Sequence, residues 1–266
     1  IVRRFNPKAK IIIHSHCSWL SELDRDTIGK RLKDADLTVG CSEFVTEKIR
    51  QRFPNLADRT QTVFNGVDTN HFVNSDLYRS IRDPQKPKIL YVGRISPEKG
   101  THDLIDAFKE VLKKYPQASL DLVGREAIVS PEFLIRISDD PIVKKLESFY
   151  PGSYLEKVKS RISPELSDRI NFVGEMDQEK ILKYYWEADI VVNPSLSEAF
   201  GMSLVEAMAT NIPVIATRVG GMTSVIEEGK TGLLVEPANP SALAKGIIDL
   251  LEEPELRKQM GTEGNR

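Results

Sequence analysis

Apolar positions follow two alternating rhythms along the chain. "KIIIHSH" is a short run rich in β-branched residues and predicts a strand ending near His16. A polar, helix-compatible stretch follows, and "DLTVGCS" predicts a second strand. In "EFVTEKIRQRF", Phe44, Val45, Ile49 and Phe53 fall close to one face of a helix. "TQTVFNGVD" predicts a third strand ending in the turn pair Asn65-Gly66. The polar stretch from Thr69 to Pro87 reads as a linker. The alternation then resumes with the strand "KILYVG" and a helix carrying Leu104, Ile105, Phe108, Val111 and Leu112 at a 3.6-residue period. "SLDLVG" is the next strand. From Arg125 to about Leu166 the pattern blurs and predicts an insertion with helices of its own. "INFVG", "DIVVNPS", "IPVIATR" and "GLLVE" predict further strands, and "SALAKGIIDLLEE" a final amphipathic helix.

Strands alternating with helices predict an α/β protein whose parallel sheets are covered by helices. We place one unit at residues 1–80 and a second at 86–266. The chain opens on Ile1 and runs almost at once into a strand, so the first unit is expected to be incomplete. A faint internal echo supports two related units: Ala35-Asp36-Leu37-Thr38-Val39 matches Ala188-Asp189-Ile190-Val191-Val192, each where a helix hands over to a strand.

Composition narrows the function classes. Of 266 residues, 40% are hydrophobic and 29% charged, ordinary for a soluble globular protein. Lysines and arginines number 37 against 39 acidic residues, a net charge of −2. That balance supplies no field to gather nucleic acid. Cys17 and Cys41 lack C-x-x-C spacing and point to a reducing compartment. No run approaches a membrane span, and no signal peptide opens the chain. A cytoplasmic location is expected, with peripheral membrane association left open.

Open α/β sheets bind ligands beyond the carboxyl ends of their strands, where helix N-termini present free N–H groups. After "ILYVG" stand Arg94 and Lys99, between Gly93 and Gly100. Two cations there suit a diphosphate, Arg as a planar fork and Lys as a point charge; a solvated loop with surface charges is the alternative. After "DIVVNPS" comes "SEAFGMSLVE", with Glu198 in a loop and Glu206 inside the next helix. An ionised carboxylate accepts from paired hydroxyls such as those of a sugar or ribose. Alternatively Glu198 merely caps the helix and Glu206 is a surface group, although Glu206 lies among Leu204, Val205, Ala207, Met208 and Ala209. His14 and His16 share one face of the first strand, but no third ligand with convincing spacing accompanies them. A hydrogen-bonding or catalytic histidine and a structural one stand equal. The D-x-D tripeptides Asp24-Arg25-Asp26 and Asp34-Ala35-Asp36 are rejected as metal sites because they fall in or end helices.

These pieces together resemble the GT-B retaining glycosyltransferases of family 4, or group 1. The resemblance rests on "VGRISPEKG", "DIVVNPSLSEAFGMSLVEAMATNIPVIATRVGG" and "EEGKTGLLVEP", with "IIIHSH", "CSEFVTEKI" and "NGVDTNHF" earlier in the chain. It spans most of the chain outside 125–166, and E-x7-E combined with R-x4-K is its specific part. It implies two Rossmann-like units, the first lacking its start and with it a glycine-rich loop ahead of His16. It also implies a hexosyltransferase that moves a sugar from a UDP-, GDP- or ADP-linked donor to an acceptor hydroxyl, with retention and without a metal or other cofactor. By the same resemblance Arg94 and Lys99 hold the diphosphate, Glu198 contacts the sugar, Glu206 the ribose, and His16, in preference to His14, lies against the sugar. The implied donor-binding set is Gly93, Arg94, Lys99, Gly174, Met176, Glu198, Ala199, Phe200, Gly201, Met202, Ser203 and Glu206, with the nucleobase near Gly174 to Met176. Where the family has Pro-Glu after Gly220-Gly221, this chain has Thr223-Ser224. The competing readings are a fragment that binds nucleotide or donor without transfer, and another GT-B enzyme such as an epimerase or phosphorylase.

Overall fold

The computed structural model describes residues 2–73 and 83–266. The expected limit of the first unit at residue 80, and part of the expected linker, lie outside those residues. Contacts divide the chain into two compact units, Ile1–Asn65 and Gly66–Arg266. Val67 and Phe72 pack into a core of the second unit, and Trp186 Nε1 donates to the Val73 carbonyl at 2.7 Å.

The first unit is a parallel sheet in the order β1 (Ile12–Ser15), β2 (Leu37–Gly40), β3 (Thr60–Thr62). Helix α1 (Arg25–Leu32) joins β1 to β2, and α2 (Glu43–Arg52) precedes β3. Both helices start where short polar side chains satisfy free N–H groups: Asp24 accepts from Thr27 N at 2.9 Å and Ser42 from Val45 N at 3.2 Å. Helix α2 buries Val45 and Ile49, and Phe53 follows them inward. Phe44, expected on that face, is only half-buried and lies under Lys48, whose Nζ is 4.8 Å from the ring centroid. Thr46 takes its place, bonded to Thr62 across the packed face at 2.7 Å. The third strand is shorter than its apolar run suggests, ending at Thr62 and leaving Val63 and Phe64 exposed.

The second unit is a parallel sheet in the order β6-β5-β4-β7-β8-β9. The strands are β4 (Lys88–Val92), β5 (Ser119–Val123), β6 (Ile170–Gly174), β7 (Ile190–Asn193), β8 (Val214–Thr217) and β9 (Gly232–Val235). Alternate strand residues enter opposite cores. Ile89, Tyr91, Leu120, Leu122, Ile190 and Val192 face one core, with α3 (Thr101–Lys114) and α6 (Pro240–Glu252) packed on it. Leu90, Val123, Val191, Val214 and Ala216 face the other, with α4 (Gln178–Glu187) and α5 (Met202–Ala209). A further helix, α7 (Pro254–Gly264), follows α6. The expected insertion carries short helices at Pro141–Lys145 and Tyr154–Lys159 and a small core of Ile135, Val143, Leu146 and Leu196.

The echo between the units is structural. Asp36 N donates to Ile11 O at 2.8 Å while its carboxylate accepts from Ile11 N at 2.7 Å. Asp189 N donates to Lys88 O at 2.8 Å while its carboxylate accepts from Lys88 N at 2.9 Å. In each unit one aspartate closes both backbone bonds at the start of neighbouring parallel strands.

Candidate functional site

Strands β4, β5 and β6 build outward in one direction, and β7 returns to the other side of β4. The helices that follow β4 and β7 pack into different cores, α3 into one and α5 into the other. That reversal point is where open α/β sheets hold ligands.

The β4 loop runs through Arg94 to Lys99 and turns into α3 at Gly100, whose φ is 65°. A Cβ there would meet the Pro194 carbonyl of the β7 loop at 2.1 Å, so only glycine lets the two loops approach this closely. The approach brings Lys99 Nζ within 2.6 Å of Glu198 Oε2, and both side chains are largely buried. Glu198 Oε1 accepts from Ala199 N at 3.0 Å and more distantly from Phe200 N at 3.5 Å. Burial alone would push the Glu198 carboxyl up. The Lys99 ammonium and these N–H donors outweigh it and hold the group below the ordinary carboxylate range.

Arg94 is 44% exposed and is anchored twice: Nη2 donates to Glu98 Oε1 at 2.9 Å and Nη1 to the Ala127 carbonyl at 3.1 Å. Tyr91 OH donates to the Arg94 carbonyl at 2.5 Å.

Beyond Glu198, Gly201 adopts φ 103° immediately before α5, a left-handed geometry suited to glycine. The helix thus begins at Met202. Ser203 is buried and receives Asn193 Nδ2 at 3.4 Å, which ties α5 to the end of β7. Glu206, inside α5, accepts from Tyr185 OH at 2.6 Å. Burial raises the Glu206 carboxyl, partly countered by that hydrogen bond. Gly221 N closes the site from β8, donating to the Glu198 carbonyl at 3.1 Å. The Thr223 that departs from the family pattern donates its hydroxyl to Gly220 O at 2.9 Å.

Gly93, Arg94 and Lys99 thus follow β4, and Glu198, Ala199, Phe200, Gly201, Met202, Ser203 and Glu206 follow β7. Gly174 ends β6 and Met176 follows it, with β5 and β4 between that strand and β7. Gly174 takes φ 85° and its carbonyl accepts from Gly124 N at 2.9 Å. His14 and His16 belong to the first unit, where their rings lie 4.1 Å apart, His16 just past the carboxyl end of β1. Sequence reasoning missed Glu98 and Tyr185, the partners of Arg94 and Glu206. The four-residue spacing of Arg94 and Glu98 was a usable signal; nothing in the sequence links Tyr185 to Glu206. Of the rejected tripeptides, Asp24 caps α1 and Asp36 holds the backbone of residue 11.

A family model described as glycosyl transferases group 1 matches residues 77–266. An uncharacterized glycosyltransferase of Methanocaldococcus jannaschii is 30% identical over 231 residues, 87% of this chain and 54% of that protein. A D-inositol 3-phosphate glycosyltransferase of Corynebacterium urealyticum is 28% identical over 261 residues, 91% of this chain and 56% of that protein. The chain thus spans about half the length of these curated relatives. Among solved structures, HepE of Anabaena in complex with UDP-glucose superposes with a TM-score of 0.77 at 24% identity, covering 99% of this chain and 68% of that one.

Proposed function

Because the chain belongs to the group 1 glycosyltransferases, we propose that its second unit grips the diphosphate of a nucleotide-sugar donor. In this reading the protein transfers the sugar to an acceptor hydroxyl, retaining anomeric configuration and using no metal ion. One observation carries it: a buried Lys99–Glu198 pair, 2.6 Å apart, at the sheet's reversal point with Arg94 on the same loop.

The chemistry follows from what these groups have left to give. An ammonium has three donors, and Lys99 gives one to Glu198; a guanidinium has five, and Arg94 gives two. The remaining N–H groups match the non-bridging oxygens of a diphosphate. As the sugar departs, negative charge grows on that diphosphate, and cations already fixed nearby stabilise it without reorganising. That supplies the role a divalent cation fills elsewhere. Glu198, kept ionised by Lys99, is suited to accept from sugar hydroxyls, and Glu206 from the ribose. His16 is retained as the candidate sugar-facing histidine: His16→Ala should depress transfer while leaving nucleoside diphosphate binding unchanged.

The test is transfer by the full-length protein in the presence of EDTA, with the product's anomeric signal read by NMR. Undiminished turnover and a product of the donor's configuration support the reading. Loss of turnover on chelation, or an inverted product, would overturn the corresponding part of it.

A further inference from the structure

Glu98 stands between the two loops that make the site. Its Oε1 accepts from Arg94 Nη2 at 2.9 Å and from Ser96 Oγ at 2.7 Å. Its main-chain carbonyl accepts from Leu196 N at 2.8 Å and Ser197 N at 3.3 Å, the residues that lead into Glu198. The side chain is only 4% exposed, and Oε2 is buried with no hydrogen-bond partner among the described residues. A carboxylate so enclosed is costly unless its bonds are strong. The Arg94 bond is charge-assisted, which is the strong kind. The second anchor of Arg94, the Ala127 carbonyl, lies in the 125–166 insertion, whose small core also takes in Leu196.

We propose that Glu98 is a positioning residue. It fixes the guanidinium of Arg94 in one orientation, and its carbonyl fixes the approach to Glu198, so that both loops meet the donor diphosphate already arranged. The proposal rests on the donor-diphosphate reading above. Without an anchor, a half-exposed arginine samples many rotamers, and the ligand must order it on binding. Glu98 does that ordering beforehand. It also offsets the charge of Arg94, an effect of opposite sign, so the substitutions must separate orientation from charge.

The experiment is calorimetric titration with the diphosphate and the monophosphate of each base in turn: UDP and UMP, GDP and GMP, ADP and AMP. The readout is the ratio of the two dissociation constants, which cancels contacts to base and ribose. Glu98→Ala should lower the wild-type preference for the diphosphate by roughly tenfold, the scale of one charge-assisted hydrogen bond. Glu98→Gln, whose carbonyl still accepts from Arg94, should recover part of it. Glu98→Asp keeps the charge but withdraws it from Arg94, so it should fall like Glu98→Ala; it also serves if the alanine variant does not fold. In an Arg94→Ala background, Glu98→Ala should change the ratio no further. A preference that survives or rises in Glu98→Ala and Glu98→Asp overturns the proposal while leaving the donor reading intact. Additive losses in the double variant would mark Glu98 as merely structural and overturn it too. A wild-type protein indifferent to the second phosphate contradicts the donor reading itself, a result distinct from both.

Discussion

The Lys99 ammonium favours the ionised form of Glu198. It holds the Glu198 carboxyl below the ordinary carboxylate range, so the ionised form stabilises the fold near neutral pH and that contribution is lost as pH falls through the folded-state value. Lys99→Met removes the cation that offsets burial, so the Glu198 carboxyl moves upward. Urea unfolding at a series of pH values should show this: in the variant, the stability lost as Glu198 takes up its proton on acidification should shrink. Glu206 behaves in the opposite sense. Its pKa is already raised by burial, so it takes up a proton at a higher pH than an ordinary carboxylate and then loses acceptor capacity. Nucleotide affinity should therefore decline on acidification. Glu206→Ala should weaken it by roughly tenfold at neutral pH. Calorimetry that found Glu206→Ala equal to the wild type would remove Glu206 from the ribose role. Residues of this kind were legible by type and by their place after a strand. Their partners were not, because Lys99 and Glu198 are 99 positions apart and Tyr185 and Glu206 meet only through packing of α4 and α5.

The elements follow the alternation of apolar positions closely where strands and helices are long and fully covered. Helix α3 buries the whole predicted stripe of Leu104, Ile105, Phe108, Val111 and Leu112. Legibility fails where elements are short: β3 keeps three residues, and the insertion's helices are too brief to display a 3.6 period. Tyr154 and Val158, from one of those helices, nonetheless enter the main core. The first turn of α3 carries a second buried group. Burial pushes Asp103 up to about 6, with Asp106 adding to the rise and Arg161 opposing it. A raised acid binds its proton in the folded state first, so wild-type stability from this group grows as pH falls through 6. Asp103→Asn removes a charge that is buried only at higher pH. Thermal denaturation should show a larger gain at pH 8 than at pH 5, bounded at about 3 kcal/mol by the size of the shift. His102 beside it, lowered to about 4 by burial, contributes in the opposite direction. Gly100→Ala tests the joint between the loops. Left-handed geometry and the Pro194 carbonyl together should cost about 2 kcal/mol or more, read as a lowered urea midpoint.

For the molecule as a whole, a five-residue echo pointed to related units, and the structure supplies its physical content in the paired roles of Asp36 and Asp189. Replacing either by Ala strands a backbone N–H, and each should destabilise its own unit by about 1–3 kcal/mol. The order of strands could not be read from the chain, since it depends on which hydrophobic faces pair rather than on any one segment. Yet that order creates the reversal between β4 and β7 and so the site itself. The most direct test of the central claim is calorimetric titration of this chain with UDP, GDP and ADP, with magnesium and with EDTA, for wild type and Lys99→Ala. The account predicts that one diphosphate binds equally well under both conditions and that Lys99→Ala weakens it by roughly tenfold or more. Binding that requires magnesium, or that ignores the loss of Lys99, would contradict it.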